Sequence, residues 1–289
     1  MSNRPSTSHP SEATIDWLDE LIGPGHAQRS HLSAIARFAG TTFNRLEFLG
    51  DTVLEQVLLE PMLQSHGATA GSVQDALTAC TSDAALTATA ARLGIDRLLP
   101  DDVPASRAAD AVEALAGACF VHRGWPAVER FAEVAGLAVA ARGLEARLEP
   151  YLEPPGNATE SAIEAALGVR LADPRWASHA LFDDERQAML AMAGSHVFEV
   201  AAVHFVYLAD SRANSYELSQ TLGRVRRRDN VLHRIDASPL AAVIADTSDR
   251  YDAARALLGA VLVDTGRIAA LTAAQLFLPD PHSRTGHTS

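Results

Sequence analysis

Four acids in the first half of the chain stand at spacings that could do chemistry. Glu47 and Asp51 lie in the run Asn44-Arg45-Leu46-Glu47-Phe48-Leu49-Gly50-Asp51, and Asp110 and Glu113 open the run Asp110-Ala111-Val112-Glu113-Ala114-Leu115-Ala116-Gly117-Ala118. On a helix, residues three or four apart share one face about one turn apart, so each pair presents two carboxylates side by side. Either pair alone reads as a solvated helix face. Both pairs, however, are set among apolar residues, where a carboxylate is costly unless a cation compensates it. Each pair also adjoins a glycine, Gly50 or Gly117, that permits close helix packing. If the two helices pack through these faces, four carboxylates converge and cannot all stay ionised without a cation. Oxygen-only donors select Mg²⁺ or Mn²⁺ over Zn²⁺. Such clusters suit two-metal hydrolysis of phosphodiesters.

The elements that must position these acids read as helices. The chain has 289 residues, 47% of them hydrophobic and only 6% aromatic. Alanine is abundant and β-branched residues are fewer, which favours an all-α fold. Helical patterns run over 13–22, 30–38, 43–64, 72–93, 106–123 and 127–148, divided by Gly/Pro punctuation such as Gly23-Pro24-Gly25 and Gly124-Trp125-Pro126. Residues 1–12 and 279–289 are polar and read as a disordered N-terminus and tail. The stretch 149–157, with Pro150, Pro154, Pro155 and Gly156, reads as a linker. It separates a first domain, 13–148, from a second, 158–278.

The second domain repeats the first. With Gly194 placed under Gly50, Ala188–Ser195 falls under Asn44–Asp51; with Gly259 under Gly117, the run beginning Tyr251-Asp252 falls under Ala109-Asp110. The near-constant offset argues for duplication. In the second copy Ala191 and Ser195 stand for Glu47 and Asp51, Arg255 stands for Glu113, and only Asp252 keeps its acid. The glycines and apolar packing thus belong to the fold, and the acids to the chemistry.

The motifs carry a family resemblance. Asn44–Asp51 resembles the ribonuclease III signature Glu-Arg-Leu-Glu-Phe-Leu-Gly-Asp, and Asp110–Ala118 resembles the second motif of that family, Asp-x-x-Glu-Ala-x-x-Gly-Ala. Leu167-Gly168-Val169-Arg170-Leu171-Ala172-Asp173-Pro174 is similar to its Leu-Gly-x-x-Phe-x-Asp-Pro, with Leu171 for the Phe. The resemblance implies two tandem ribonuclease III-like helical domains packed as an intramolecular pseudo-dimer, or chains paired as a homodimer. It implies Mg²⁺, with Mn²⁺ as an alternative, held by catalytic Glu47, Asp51, Asp110 and Glu113. Double-stranded or structured RNA is the implied partner, and Phe48 and Met192 the implied interface plugs. The degenerate site of Ala191, Ser195, Asp252 and Arg255 is expected to be dead, because Arg255 places a fixed positive charge where an ion would sit. Asn44 replaces the leading Glu of the signature, a residue implied to assist RNA engagement. No double-stranded-RNA-binding domain is read after the repeat.

Charge and composition narrow the rest. The net charge is −12, and all 24 basic residues are arginine. That is not a general nucleic-acid-binding surface, so phosphate must meet bound metal or a local basic patch. Arg224, Arg226, Arg227 and Arg228 form the candidate patch; a solvated helix face is its plain reading, and phosphate contact its functional one. Cys80 and Cys119 read as buried free thiols. His196 and His204 read as partly buried structural residues. There is no N-terminal apolar signal, and the run 197–209 reads as too short to span a bilayer, so a cytoplasmic location is expected. Two other readings stay open: a non-catalytic RNA- or protein-binding member of the fold, and metal chemistry on a substrate other than duplex RNA.

Overall fold

The computed structural model describes residues 10–63, 68–100, 103–137, 157–182 and 184–279. The 149–156 part of the expected linker, Asp101 and Asp102, 1–9, 280–289 and the end of the helix expected over 127–148 lie outside them. Every regular element among the described residues is helical. In chain order they are α1 Glu12–Ile22, α2 Arg29–Ile35, α3 Thr41–Leu63, α4 Ala70–Thr81, α5 Asp83–Leu93, α6 Arg107–Arg123, α7 Trp125–Val134, α8 Asn157–Leu167, α9 Arg175–Phe182, α10 Asp184–Ala209, α11 Ser215–Val225, α12 Arg228–Asp236, α13 Leu240–Val243, α14 Arg250–Thr265 and α15 Arg267–Ala274. Short 3₁₀ turns, Ile95–Leu98 and Gln275–Phe277, follow α5 and α15.

The helix expected over 72–93 is in fact two. Ser82 takes an extended backbone (φ −61°, ψ 150°), and its hydroxyl accepts from the Ala85 amide, which caps a new helix at Asp83. Trp125-Pro126, expected as a break, opens α7 instead, with Gly124 at φ 70° making the corner. Proline tolerates the first turn of a helix because that turn has no amide bonds to lose.

The chain divides into two compact units. One comprises Met1–Val57 and Ala79–Ala140; the other comprises Leu58–Thr78 and Ala141–Ser289. The division does not fall at the linker alone: the end of α3 and most of α4 belong with the second copy. Inside that second unit Glu60 accepts from the Arg267 guanidinium, with Oε2 at 2.8 Å from Nη2, and Leu58, Leu59, Met62 and Leu63 are buried.

In the first unit α6 is the central helix, with α2, α5 and α7 packed on it. Between Ala108 and Cys119 every residue of α6 is buried except Asp110 and Glu113. Small side chains allow this. Six of those residues are alanine and one is Gly117, so neighbouring helices approach on nearly every side. In the second unit α14 holds the same place, packed by α9, α10 and α15. From Ala253 to Leu262 its one residue that escapes burial is Arg255.

Helix α10 is long. Its span Arg186–Ala209 has the length and apolarity to cross a bilayer, with mean hydropathy 1.5 over the best window. Counting the apolar run only from residue 197 understated it. Yet 67% of that window is buried within the protein, as in the core helix of a globular fold.

Candidate active site on the first copy

The site is made by one helix crossing. A Cβ built on Gly50 of α3 would lie 1.7 Å from the Glu113 carbonyl oxygen and 2.8 Å from the Gly117 nitrogen of α6. A Cβ on Gly117 would lie 2.1 Å from the Leu46 carbonyl oxygen. No side chain fits either position, so the two backbones touch where both residues are glycine. Glu47 and Asp51 flank Gly50 on α3, and Asp110 and Glu113 precede Gly117 on α6. The crossing therefore carries both acid pairs to one place, as the spacing of acids and glycines predicts.

The electrostatics of the four side chains follow from that convergence. Burial is the largest influence on Glu113, and the charges of Asp51, Glu47, Asp110 and Asp83 add to it, pushing its carboxyl up to about 9. Burial likewise raises Glu47 to about 7, helped by Asp110 and Asp51 and opposed by Arg107. Asp51 reaches solvent, and its carboxyl is raised by the surrounding protein first and by Asp83 second. Because Asp51 is accessible to water, the half-buried Glu47 and Glu113 carry the electrostatic argument. Two carboxyls displaced this far mark an anionic cluster short of positive charge.

Two residues of the site were not singled out by sequence reasoning. Arg107, one turn before Asp110 on α6, pairs with it at 2.6 Å from Nη1 to Oδ2. Its Nη2 donates to Asn44 Oδ1 at 3.3 Å, and its guanidinium carbon lies 5.1 Å from the centroid of the Phe43 ring. The i, i+3 spacing of Arg107 and Asp110 was a usable signal. Asp83 is the other. It raises both Asp51 and Glu113 from the first turn of α5. Reading α4 and α5 as one helix hid it, although Ser82-Asp83 is a cap signature.

A hard divalent cation suits this donor set by chemistry: four carboxylates, no sulfur or imidazole, and too much negative charge. As they stand, no three His, Cys, Asp or Glu side chains among the described residues are disposed as a metal cage. One of the four acids, Asp110, is paired with Arg107.

The second copy keeps the crossing and loses the acids. A Cβ on Gly194 would lie 1.7 Å from the Arg255 carbonyl oxygen, and one on Gly259 2.0 Å from that of Leu190. Arg255 Nη1 donates to Ser195 Oγ at 2.7 Å, and its Nη2 pairs with Asp252. The guanidinium carbon sits 4.6 Å from the Tyr251 ring centroid. Ser195 Oγ in turn lies 2.7 Å from the carbonyl oxygen of Ala191, to which it donates. A fixed cation thus joins the residues that stand for Asp51, Asp110 and Glu113.

Of the four arginines near 226, two are committed to acids: Arg226 to Glu199, and Arg228 to Asp249 with Nη2 at 2.7 Å from Oδ2. All four are exposed, at the turn from α11 into α12. Arg226 and Arg227 line a cleft of about 530 Å³ with Ser219, Leu222, Gly223 and Tyr251. Phe48 and Met192, expected as plugs, are both half-buried. Cys119 is buried and its thiol is pushed up to about 12, whereas Cys80 is only half-buried. His204 is exposed rather than partly buried, and His196 is half-buried.

Comparison with known proteins shows what the first copy is similar to. A model of the ribonuclease III domain matches residues 44–124, which begin at Asn44 and take in both acid pairs. Over those residues the chain is similar to ribonuclease III domains. The ribonuclease III family comprises endonucleases that act on double-stranded RNA. Two solved structures share the fold. A crystal structure of Dicer from Giardia intestinalis superposes with a TM-score of 0.63 at 13% identity, covering 82% of this chain and 54% of that one. A structure of Giardia Dicer refined against twinned data gives 0.62, again at 13% identity and the same coverage. The chain spans about half the length of those structures, and at that identity the likeness is one of fold. No curated protein matches it in sequence.

Proposed function

We propose that this chain is a Mg²⁺-dependent endoribonuclease, able to use Mn²⁺, that hydrolyses phosphodiester bonds of double-stranded or structured RNA through one active site per chain. The observation that carries the reading is the Gly50–Gly117 crossing. It gathers Glu47, Asp51, Asp110 and Glu113 beside one another, and in the second copy the same crossing gathers an arginine and a serine instead.

Glu47, Asp51, Asp110 and Glu113 would hold the cation. When bound, it would lower the pKa of a coordinated water and stabilise charge on the phosphate oxygens. The protein's own part is positional. Backbone contact at the two glycines fixes the α3 acids against the α6 acids. Burial around Glu113 and Glu47 limits water at the inner end of the cluster, while accessible Asp51 marks the side from which substrate would enter. At neutral pH Glu113, raised to about 9, holds a proton in the metal-free chain and must release it when a cation binds.

The second copy would orient RNA. Its cleft beside Arg226 and Arg227, with Arg224 exposed nearby, suits backbone phosphate, which arginine binds with a planar fork. The duplicated crossing supports a pseudo-dimer within one chain, with Phe48 and Met192 as its plugs. The cytoplasm is the compartment we assign to this activity.

The test is a nuclease assay on duplex RNA with Mg²⁺ or Mn²⁺. Asp51→Ala and Glu113→Ala should each lower the rate by at least about 100-fold, the scale of losing a metal ligand's support. Equal, metal-independent rates in all three chains would refute the enzyme reading in favour of a binding protein built on the same fold.

A further inference from the structure

The acidic cluster already contains a cation of its own. Arg107 enters it from α6, one turn before Asp110, and pairs with that carboxylate at 2.6 Å. Two further groups hold the guanidinium in place. Asn44 Oδ1 accepts from Nη2 at 3.3 Å, and the Phe43 ring faces the guanidinium carbon at 5.1 Å. The three contacts come from two helices, so the position of Arg107 is built rather than incidental. Asn44 contributes an acceptor without adding charge to the cluster.

The second copy shows independently that this crossing accepts a guanidinium as counter-ion. There Arg255 pairs with Asp252, the residue that stands for Asp110, from the other side in sequence. Its charge is likewise backed by an aromatic face, Tyr251, at 4.6 Å. The two copies have therefore reached a similar arrangement with different arginines. In the second the arginine replaces an acid and is permanent. In the first it is added to an intact acid set, and a competing cation could remove it.

We propose that Arg107 is a resident counter-cation of the ribonuclease III site, one that a divalent ion must displace from Asp110 in order to bind. The inference rests on the metal-dependent reading above. Arg107 is thus a positioning residue that sets how much metal the site requires. In the metal-free chain it neutralises part of the cluster and holds Asp110 on the Arg107 side. If Asp110 were recruited to a divalent ion that pair would be lost, and Asn44 and Phe43 would remain to hold the guanidinium. Metal affinity is accordingly lower than the four acids alone would give.

Mn²⁺ titration of the full metal-free chain, followed by calorimetry, tests this with wild type, Arg107→Gln, Arg107→Lys and Asp51→Ala. Arg107→Gln removes the charge and should bind Mn²⁺ at least about three-fold more tightly than wild type. Arg107→Lys keeps the charge but loses the fork, and should fall between them. The Lys variant keeps the test decisive if the Gln variant does not fold. A folded Arg107 variant that binds Mn²⁺ as wild type does, or more weakly, while Asp51→Ala loses binding, overturns the inference and leaves the metal site standing. Absence of saturable binding in every chain would overturn both.

Discussion

Glu113 and Glu47 are the residues through which this site can be read in solution. Both carboxyls are raised, to about 9 and about 7, chiefly by burial and then by neighbouring acids. A carboxyl raised in the folded state binds its proton more tightly there than in the unfolded chain. It contributes stability that is fully present below the ordinary value of 4.5 and lost as pH rises through 7 and then 9. The metal-free protein should therefore melt at progressively lower temperature between about pH 5 and pH 9. Glu113→Gln, which cannot ionise, should flatten the upper part of that decline, and a saturating divalent ion should also oppose it. Thermal melts across pH would show this, and a Glu113→Gln profile parallel to wild type would count against the raised carboxyl. At this scale the sequence was readable where a residue's role lies in its own helix. The convergence of the four acids was legible from their spacing and the adjoining glycines. Arg107 and Asp83 were not, because what they do depends on partners: Asn44 and Phe43 on another helix for Arg107, and Asp51 and Glu113 for Asp83.

At the scale of the element, the crossing of α3 with α6 and of α10 with α14 is the unit that the duplication copied. Both crossings have backbone in contact with backbone, and each would place an added Cβ 1.7 Å from a carbonyl oxygen, at Gly50 and at Gly194. Alanine at either position forces the helices apart. Gly50→Ala and Gly194→Ala should each cost at least about 3 kcal/mol, the upper range for overpacking a tight core. Urea melts measure it. A stable, normally folded Gly50→Ala chain would mean that the crossing is looser than described. Only Gly50→Ala should also disturb the acid cluster. These glycines were legible in the sequence because they recur at matching places in both copies. The break at Ser82 was less legible, since apolar periodicity runs across it and only the cap marks it. The turn from α11 into α12 occupies the corresponding place in the second copy. It carries Arg226 and Arg227 between its helices where the first copy has Ser82.

For the whole molecule, one intact acid set and one arginine-filled copy predict asymmetric chemistry. A monomeric chain should nick one strand of a duplex per binding event. Labelling each strand separately shows the outcome, and equal cutting of both strands by a monomer would contradict a single active site. The all-α class and the duplication were visible from composition and from the glycine register. The grouping of 58–78 with the second copy was not. Nothing local in Leu58-Leu59-Glu60 says which copy it will pack with. Glu60 finds Arg267 across 207 positions of chain, a pairing that only the tertiary fold creates.

That last pairing bears on heredity as much as on stability. Many duplicated proteins can be read as modules, each free to be lost, shuffled or fused elsewhere. Here the helix bearing Glu47 and Asp51 runs on, without a break, into the body of the other copy, where Glu60 and Met62 are held. A gene split at 149–157 would leave the acidic copy with an orphaned, apolar helix end and leave Arg267 without Glu60. Discarding the copy that lacks the acids would therefore take with it the packing of the end of α3.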